Sequence, residues 1–245
     1  MVSISYSQKN NNVVTIKGGS YLPLYGATDE KVKPVAVKSF KLDIYPVTNK
    51  EYIQFLKENP NYRRSKIKRI FAGESYLSHW KSDLDYGSLN SNAPVTNVSW
   101  FAAKKYCECQ GKRLPTLDEW EFVAMADKKG IDAREKEEFN EFILSWYERG
   151  KSYSNPVGST FKNYWGVYDM HGLVWEWTFD FNSIFLSGES RKDKDTDKNL
   201  FCGSGSVNAT DLMNYAAFMR YAFRGSLKAS YTTKNLGFRC ADDIK

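Results

Sequence analysis

Pro94-Val95-Thr96-Asn97-Val98-Ser99-Trp100, continuing through Ala103, Tyr106 and Cys107 to Gly111-Lys112-Arg113-Leu114-Pro115-Thr116-Leu117-Asp118-Glu119-Trp120-Glu121, is the stretch that decides the fold. The Ser99 hydroxyl stands where it can cap a helix, and Gly111 is suited to the left-handed turn that ends one. Thr116-Leu117-Asp118-Glu119 is a capping box, in which the Thr hydroxyl and the Glu carboxylate each satisfy a free backbone N–H. Behind it Trp120, Phe122, Val123 and Met125 give the following helix its buried side. Two short helices joined by a tight Arg-Leu-Pro corner are therefore expected.

Outward from this centre the chain is irregular. Val13-Val14-Thr15-Ile16 and Gly18-Gly19-Ser20-Tyr21 read as strand material. So does a second extended stretch from Val35 through Tyr45, closed by Pro46. Thr48-Asn49-Lys50-Glu51 is another capping box, and the spacing of Tyr52, Phe55 and Leu56 predicts a helix over 49–58, ended by Asn59-Pro60. Residues 61–97 show no period. Residues 134–148 alternate acidic and apolar groups and read as a short surface helix. From Tyr153 onward Gly, Ser, Asn and aromatic residues predict short strands joined by loops. There is no repeat and no linker, so residues 1–245 are read as one α+β domain with little regular secondary structure.

Bulk composition narrows the function classes. At 245 residues with 42% hydrophobic and 16% aromatic content, the chain can bury a sizeable core. No apolar run approaches the ~18 residues of a membrane span. The net charge of +6 is spread among Asp and Glu neighbours. The densest basic patch, Arg63-Arg64-Ser65-Lys66-Ile67-Lys68-Arg69, is read as a solvated loop or helix face, with an anion or nucleic-acid contact as the alternative. No nucleic-acid role is expected. Met1 to Ser5 lacks the basic and apolar regions of a signal peptide. A periplasmic or secreted location is expected if such a peptide has been removed, and a cytoplasmic one otherwise. Four Cys suit either compartment.

Val13 to Ser20, Tyr45 to Tyr52, Pro94 to Glu121, Tyr164-Trp165-Gly166-Val167-Tyr168-Asp169-Met170-His171-Gly172-Leu173-Val174-Trp175-Glu176-Trp177, Ala222-Phe223-Arg224 and Asn235-Leu236-Gly237-Phe238-Arg239-Cys240 come in one order over about 13–241. In that order they resemble the formylglycine-generating enzyme (sulfatase-modifying factor) family. The resemblance implies a C-type-lectin-like α+β fold. It implies a disulfide between Cys107 and Cys240, against the alternative of two buried free thiols; closing a loop of that size is worth roughly 4–5 kcal/mol. Cys109, two residues on, points about 200° round the helix from Cys107 and does not compete. It also implies a calcium site formed by Asp169, Gly172, Val174 and Glu176, two carboxylates and two carbonyls suited to a hard cation, against a hydrogen-bonded turn without metal. A second family calcium site needs an insert that this chain lacks.

The family's two reactive thiols would fall at Asp211 and Ala216, and Val207 through Arg239 contains no Cys. Copper is not expected at the family site, because Asp and Ala cannot act as thiolates. Trp175 and Asn235 match residues lining the family's peptide groove, and Ser204 or Ser206 matches a pocket serine. Cys202 is a further pocket candidate. Met170, His171, Met213 and Met219 are soft or borderline ligands that more commonly fill cores or hydrogen-bond locally. Two His exclude a three-His iron centre, and no P-loop, Rossmann or zinc spacing is present.

The reading that follows is a divergent formylglycine-generating-enzyme-like protein without that activity. It would be an accessory or binding protein for a protein or peptide partner, in one form linked to maturation of a copper enzyme such as nitrite reductase. The alternative is an oxidoreductase of altered chemistry acting on a peptide or small substrate in the same pocket, so enzyme status stays open. A ligand-display module ranks last, since Asn208, Asn214 and Asn235 are scattered.

Overall fold

A computed structural model describes residues 12–23, 33–148, 152–182 and 212–244. Cys202, Ser204, Ser206 and Asp211 lie outside the described residues. The strands, in chain order, are β1 (Val13–Ile16), β2 (Gly19–Tyr21), β3 (Val35–Val37), β4 (Phe40–Asp43), β5 (Trp175–Glu176), β6 (Leu236–Gly237) and β7 (Ala241–Asp243). The helices are α1 (Asn49–Glu58), α2 (Trp100–Cys109), α3 (Leu117–Ala124), α4 (Glu137–Glu148) and α5 (Leu212–Gly225).

An antiparallel sheet ordered β1-β4-β7 joins the two ends of the fold, with Val13 opposite Asp43 and Leu42 opposite Ala241. β2 pairs antiparallel with β3, and β5 pairs parallel with β6. The single extended stretch expected from Val35 to Tyr45 is two strands in two sheets. Gly18 explains the break: a Cβ there would stand 2.4 Å from the Val37 carbonyl oxygen, so only glycine lets the chains cross this closely. The Ser39 hydroxyl holds the crossing by accepting the Gly18 N–H at 2.9 Å.

The three N-caps form at Thr48, Ser99 and Thr116, two of them as full capping boxes. α1 and α2 bury Tyr52, Phe55, Leu56, Tyr106 and Cys107 in one large aromatic core. α3 buries Trp120, Phe122, Val123 and Met125 in a second core under the three-stranded sheet. Between α2 and β7, Cys107 and Cys240 form a disulfide spanning 133 residues, and both are fully buried. Cys109 is exposed, with its sulfur 3.7 Å from Asn59 Oδ1.

Helix α4 is the short surface helix expected within 134–148: Glu137, Glu138, Glu141 and Glu148 are exposed, while Phe139 and Ile143 are buried against α5. One expectation needs correction. The region after Tyr153 is not all strand and loop, since α5 runs for 14 residues. Its buried residues Ala216, Ala217, Arg220, Tyr221 and Arg224 recur at i, i+1, i+4, i+5 and i+8, one stripe of a 3.6-residue period. Two arginines in that stripe hide the period from a reading of apolar residues alone.

Candidate functional site

The site grows from the start of α3. Glu119 closes the capping box by accepting the Thr116 N–H at 2.8 Å, and Arg113 forks onto both Glu119 oxygens at 2.7 Å. With the first turn fixed, Trp120 and Glu121 turn into the interior, 3% and 6% exposed.

Glu121 meets two arginines from α5. Arg220 donates through Nε at 3.1 and 3.2 Å and through Nη2 at 2.9 Å, and Arg224 donates through Nη1 at 2.6 Å. Burial alone would raise the Glu121 carboxyl, but the two guanidiniums outweigh it and hold it down at about 2. Two cations on one anion leave a positive charge over. Arg224 lays its guanidinium on the face of Trp120, 4.4 Å from the ring centroid, where the π-cloud offsets part of that charge. Its Nε has no hydrogen-bond partner among the described residues.

Trp120 carries the network onward. Its indole N–H donates to Glu176 Oε2 at 2.9 Å, and Glu176 receives Arg239 in a fork of 2.7 to 3.1 Å. The remaining Arg239 donors satisfy the carbonyls of Asp43, Ile44 and Tyr168 at 2.9 to 3.2 Å. One buried polar line thus ties α5, α3, β5 and the central sheet together. Arg220 does not stand out in the sequence, and Arg224 enters it only as part of the matching segment Ala222-Phe223-Arg224. Their i, i+4 spacing on one helix, facing a buried Glu after a capping box, is the signal that could have found them.

The sequence-predicted pocket residues lie at the edge of this line. Trp175 is half-buried, and both Tyr147 (5.0 Å, 19°) and Phe223 (4.6 Å, 29°) stack on it. Its backbone N–H donates to the Asn235 carbonyl at 2.7 Å, so Trp175 and Asn235 are adjacent. Ala216, which the resemblance matches to one of the two thiols, is 1% exposed and packs with Ala133, Phe139 and Ile143. A cavity of about 10 Å³ beside it, lined among others by Asn140, His171 and Arg220, has room for about one water. A separate concavity of about 540 Å³ lies against α1 and shares no residue with this site.

His171 is not available as a ligand through Nε2, which donates to the Ala124 carbonyl at 2.6 Å. Burial first, and then Arg220, pull its pKa down to about 3, so the ring is neutral. Met170 belongs to the second core and Met219 lies on α5, while the Met213 side chain lies outside the described residues. Among the described residues no group of three or more His, Cys, Asp or Glu could hold a metal.

The four calcium candidates are close in sequence, but the two carboxylates among them are already turned to other partners. Glu176 spends its oxygens on Arg239 and Trp120. Asp169, fully buried with φ +61°, accepts the Gly158 N–H at 2.5 Å, the Thr160 N–H at 3.0 Å and the Thr160 hydroxyl at 2.8 Å. Calcium takes six to eight oxygen ligands, and here both carboxylates already face hydrogen-bond donors.

The family profile of the sulfatase-modifying factor enzyme 1-like domain matches residues 2–244. An inactive Cα-formylglycine-generating enzyme 2 from Bos taurus is 28% identical, over 94% of this chain and 87% of its own. A formylglycine-generating enzyme from Mus musculus is 32% identical, over 85% of this chain and 67% of its own. Among solved structures, PvdO from Pseudomonas aeruginosa superposes with a TM-score of 0.52 at 18% identity, covering 95% of this chain and 94% of that one. At that identity the last likeness speaks for the fold alone.

Proposed function

This chain belongs to the sulfatase-modifying factor enzyme 1-like family, and from that premise we propose a divergent member that no longer generates formylglycine and works by binding. Its partner would be a protein or peptide segment held at the stacked rings of Tyr147, Trp175 and Phe223. One observation carries this reading: no Cys stands from Gly203 to Arg239, the stretch in which the resemblance sets both thiols, and Ala216, matched to one of them, is closed into an apolar cluster with Phe139 and Ile143. A methyl group can neither ligate copper nor act as a nucleophile. Cys107 and Cys240 are spent on the disulfide. The relative named as inactive supports the same reading. Within it, assistance to a copper enzyme such as nitrite reductase rests on the Tyr215 to Arg224 stretch alone.

The test is direct. The protein is incubated aerobically with copper and a Cys-x-Pro-x-Arg peptide, and the peptide mass is followed. The expected result is an unchanged thiol peptide and no stoichiometric copper on the protein. Aldehyde on the peptide, or copper held by two thiolates, would overturn the proposal. Any other oxidation of the peptide would favour an oxidoreductase of altered chemistry instead.

A further inference from the structure

The fold splits the basic run Arg63 to Arg69 into two uses. Arg63 and Arg64 turn inward. Arg63 Nε donates to the Leu56 carbonyl at 3.0 Å, and Arg64 Nη1 to those of Leu77 and Trp80 at 3.1 and 2.8 Å. Lys66, Lys68 and Arg69 stay exposed. Immediately after them the chain turns back, with the Phe71 N–H donating to the Lys68 carbonyl at 2.9 Å. This sets Ile70 at the tip, 72% exposed, with Phe71 beside it at 42%.

The tip is held firmly from behind. Ala72 is 1% exposed, the Gly73 N–H donates to the Ser230 carbonyl at 2.7 Å, and Phe71 rests edge-on against Phe101 at 5.4 Å. Glu74 lies against these cations, 3.5 Å from Arg69 and itself 91% exposed.

An aliphatic side chain left in water at a chain reversal, with three exposed cations among the four residues before it, does nothing for the core. It is the arrangement of an interfacial anchor, in which apolar groups enter the headgroup boundary while Lys and Arg meet anionic lipid. Neither cavity described above is lined by a residue of this turn, so a small molecule has no enclosed site there. A single-stranded nucleic acid stacks its bases on exposed rings; the ring of this turn, Phe71, rests against Phe101, and the more exposed residue at the tip is the aliphatic Ile70. We propose that the turn from Lys66 to Phe71 docks this protein on an anionic phospholipid surface, with Ile70 entering the boundary and Lys66, Lys68 and Arg69 facing the lipid charges. The chain's net charge of +6 is complementary to such a surface.

Cosedimentation of the full chain with phosphatidylcholine vesicles, with and without phosphatidylserine, tests this. Binding is expected only with phosphatidylserine and should weaken with added salt. The K66Q/K68Q/R69Q variant should bind about a hundredfold more weakly, and Ile70→Asn about tenfold. Both changes are at exposed side chains, so unchanged melting curves verify the fold. No preference for phosphatidylserine, or full binding by Ile70→Asn, would overturn the proposal. So would equal binding to a single-stranded oligonucleotide or to polyglutamate that depends on the cations and not on Ile70, which would make the patch a polyanion contact.

Discussion

Arg239 and Glu176 meet as a forked ion pair whose side chains are 0% and 1% exposed. Breaking such a pair from one side leaves a buried charge without a partner, which costs about 3–5 kcal/mol. Glu176→Gln and Arg239→Met should each destabilise by that amount, about 10 °C in melting temperature for a domain of this size. The change at Glu176 also removes an acceptor of the Trp120 indole N–H. A calorimetric scan in which either variant loses less than about 1 kcal/mol would show that the pair does not hold β5 to the sheet.

The same filled carboxylates govern the response to calcium. A ligand that binds the folded chain raises its melting temperature with concentration. Calcium added at millimolar levels, or removed by chelator, should leave the melting temperature of this protein unchanged. A concentration-dependent rise that disappears in Asp169→Asn would instead mean that Asp169 and Glu176 can release Thr160 and Arg239 to the ion.

Much of the fold is legible in the sequence because it is written in local chemistry. Thr48, Ser99 and Thr116 announce their helices through hydroxyls three residues ahead of the N–H they cap, and those signals need no tertiary context. Where tertiary contacts decide, the sequence is silent. The break between β3 and β4 depends on Gly18, about twenty residues earlier, letting the chains touch. α5 stays hidden because two of the five residues in its stripe are arginine, and arginine reads as surface until Glu121 is known to face it. For the site, the resemblance matches Trp175 and Asn235 to groove-lining residues, and a backbone hydrogen bond joins the two here. The Glu121 cluster, joining residues 99 and 103 positions apart, has no local signature.

Acid should weaken the fold in two stages. His171 ionises at about 3 when folded against an ordinary 6.5, and His79, also lowered by burial, at about 4. Between these values the unfolded chain carries protons that the folded chain refuses, so stability falls as pH falls, by up to about 1.4 kcal/mol per unit for each group. Glu121 acts lower down. Its depressed carboxyl contributes fully above the ordinary 4.5, and that contribution is lost as pH drops toward 2. Urea midpoints measured from pH 7 to 4 should slope downward, and His171→Gln should flatten the part between 6.5 and 5. An unchanged slope in that variant would place the acid sensitivity elsewhere.

Gly172 and Gly111 separate two costs that one glycine usually mixes. Both have positive φ, +108° and +69°. At Gly111 a Cβ would meet nothing within 4 Å, so Gly111→Ala should cost only the backbone strain, about 1 kcal/mol. At Gly172 the Cβ would stand 2.8 Å from Thr160 Cγ2 and 2.9 Å from two atoms of the Trp146 ring. Thr160 cannot withdraw freely, because its hydroxyl and N–H are both donated to Asp169. Gly172→Ala should therefore cost about 2–4 kcal/mol, strain and overpacking together. Chemical denaturation of the two variants side by side measures the difference. Equal losses would mean that Trp146 swings clear, and that the turn beside β5 is looser than its contacts indicate.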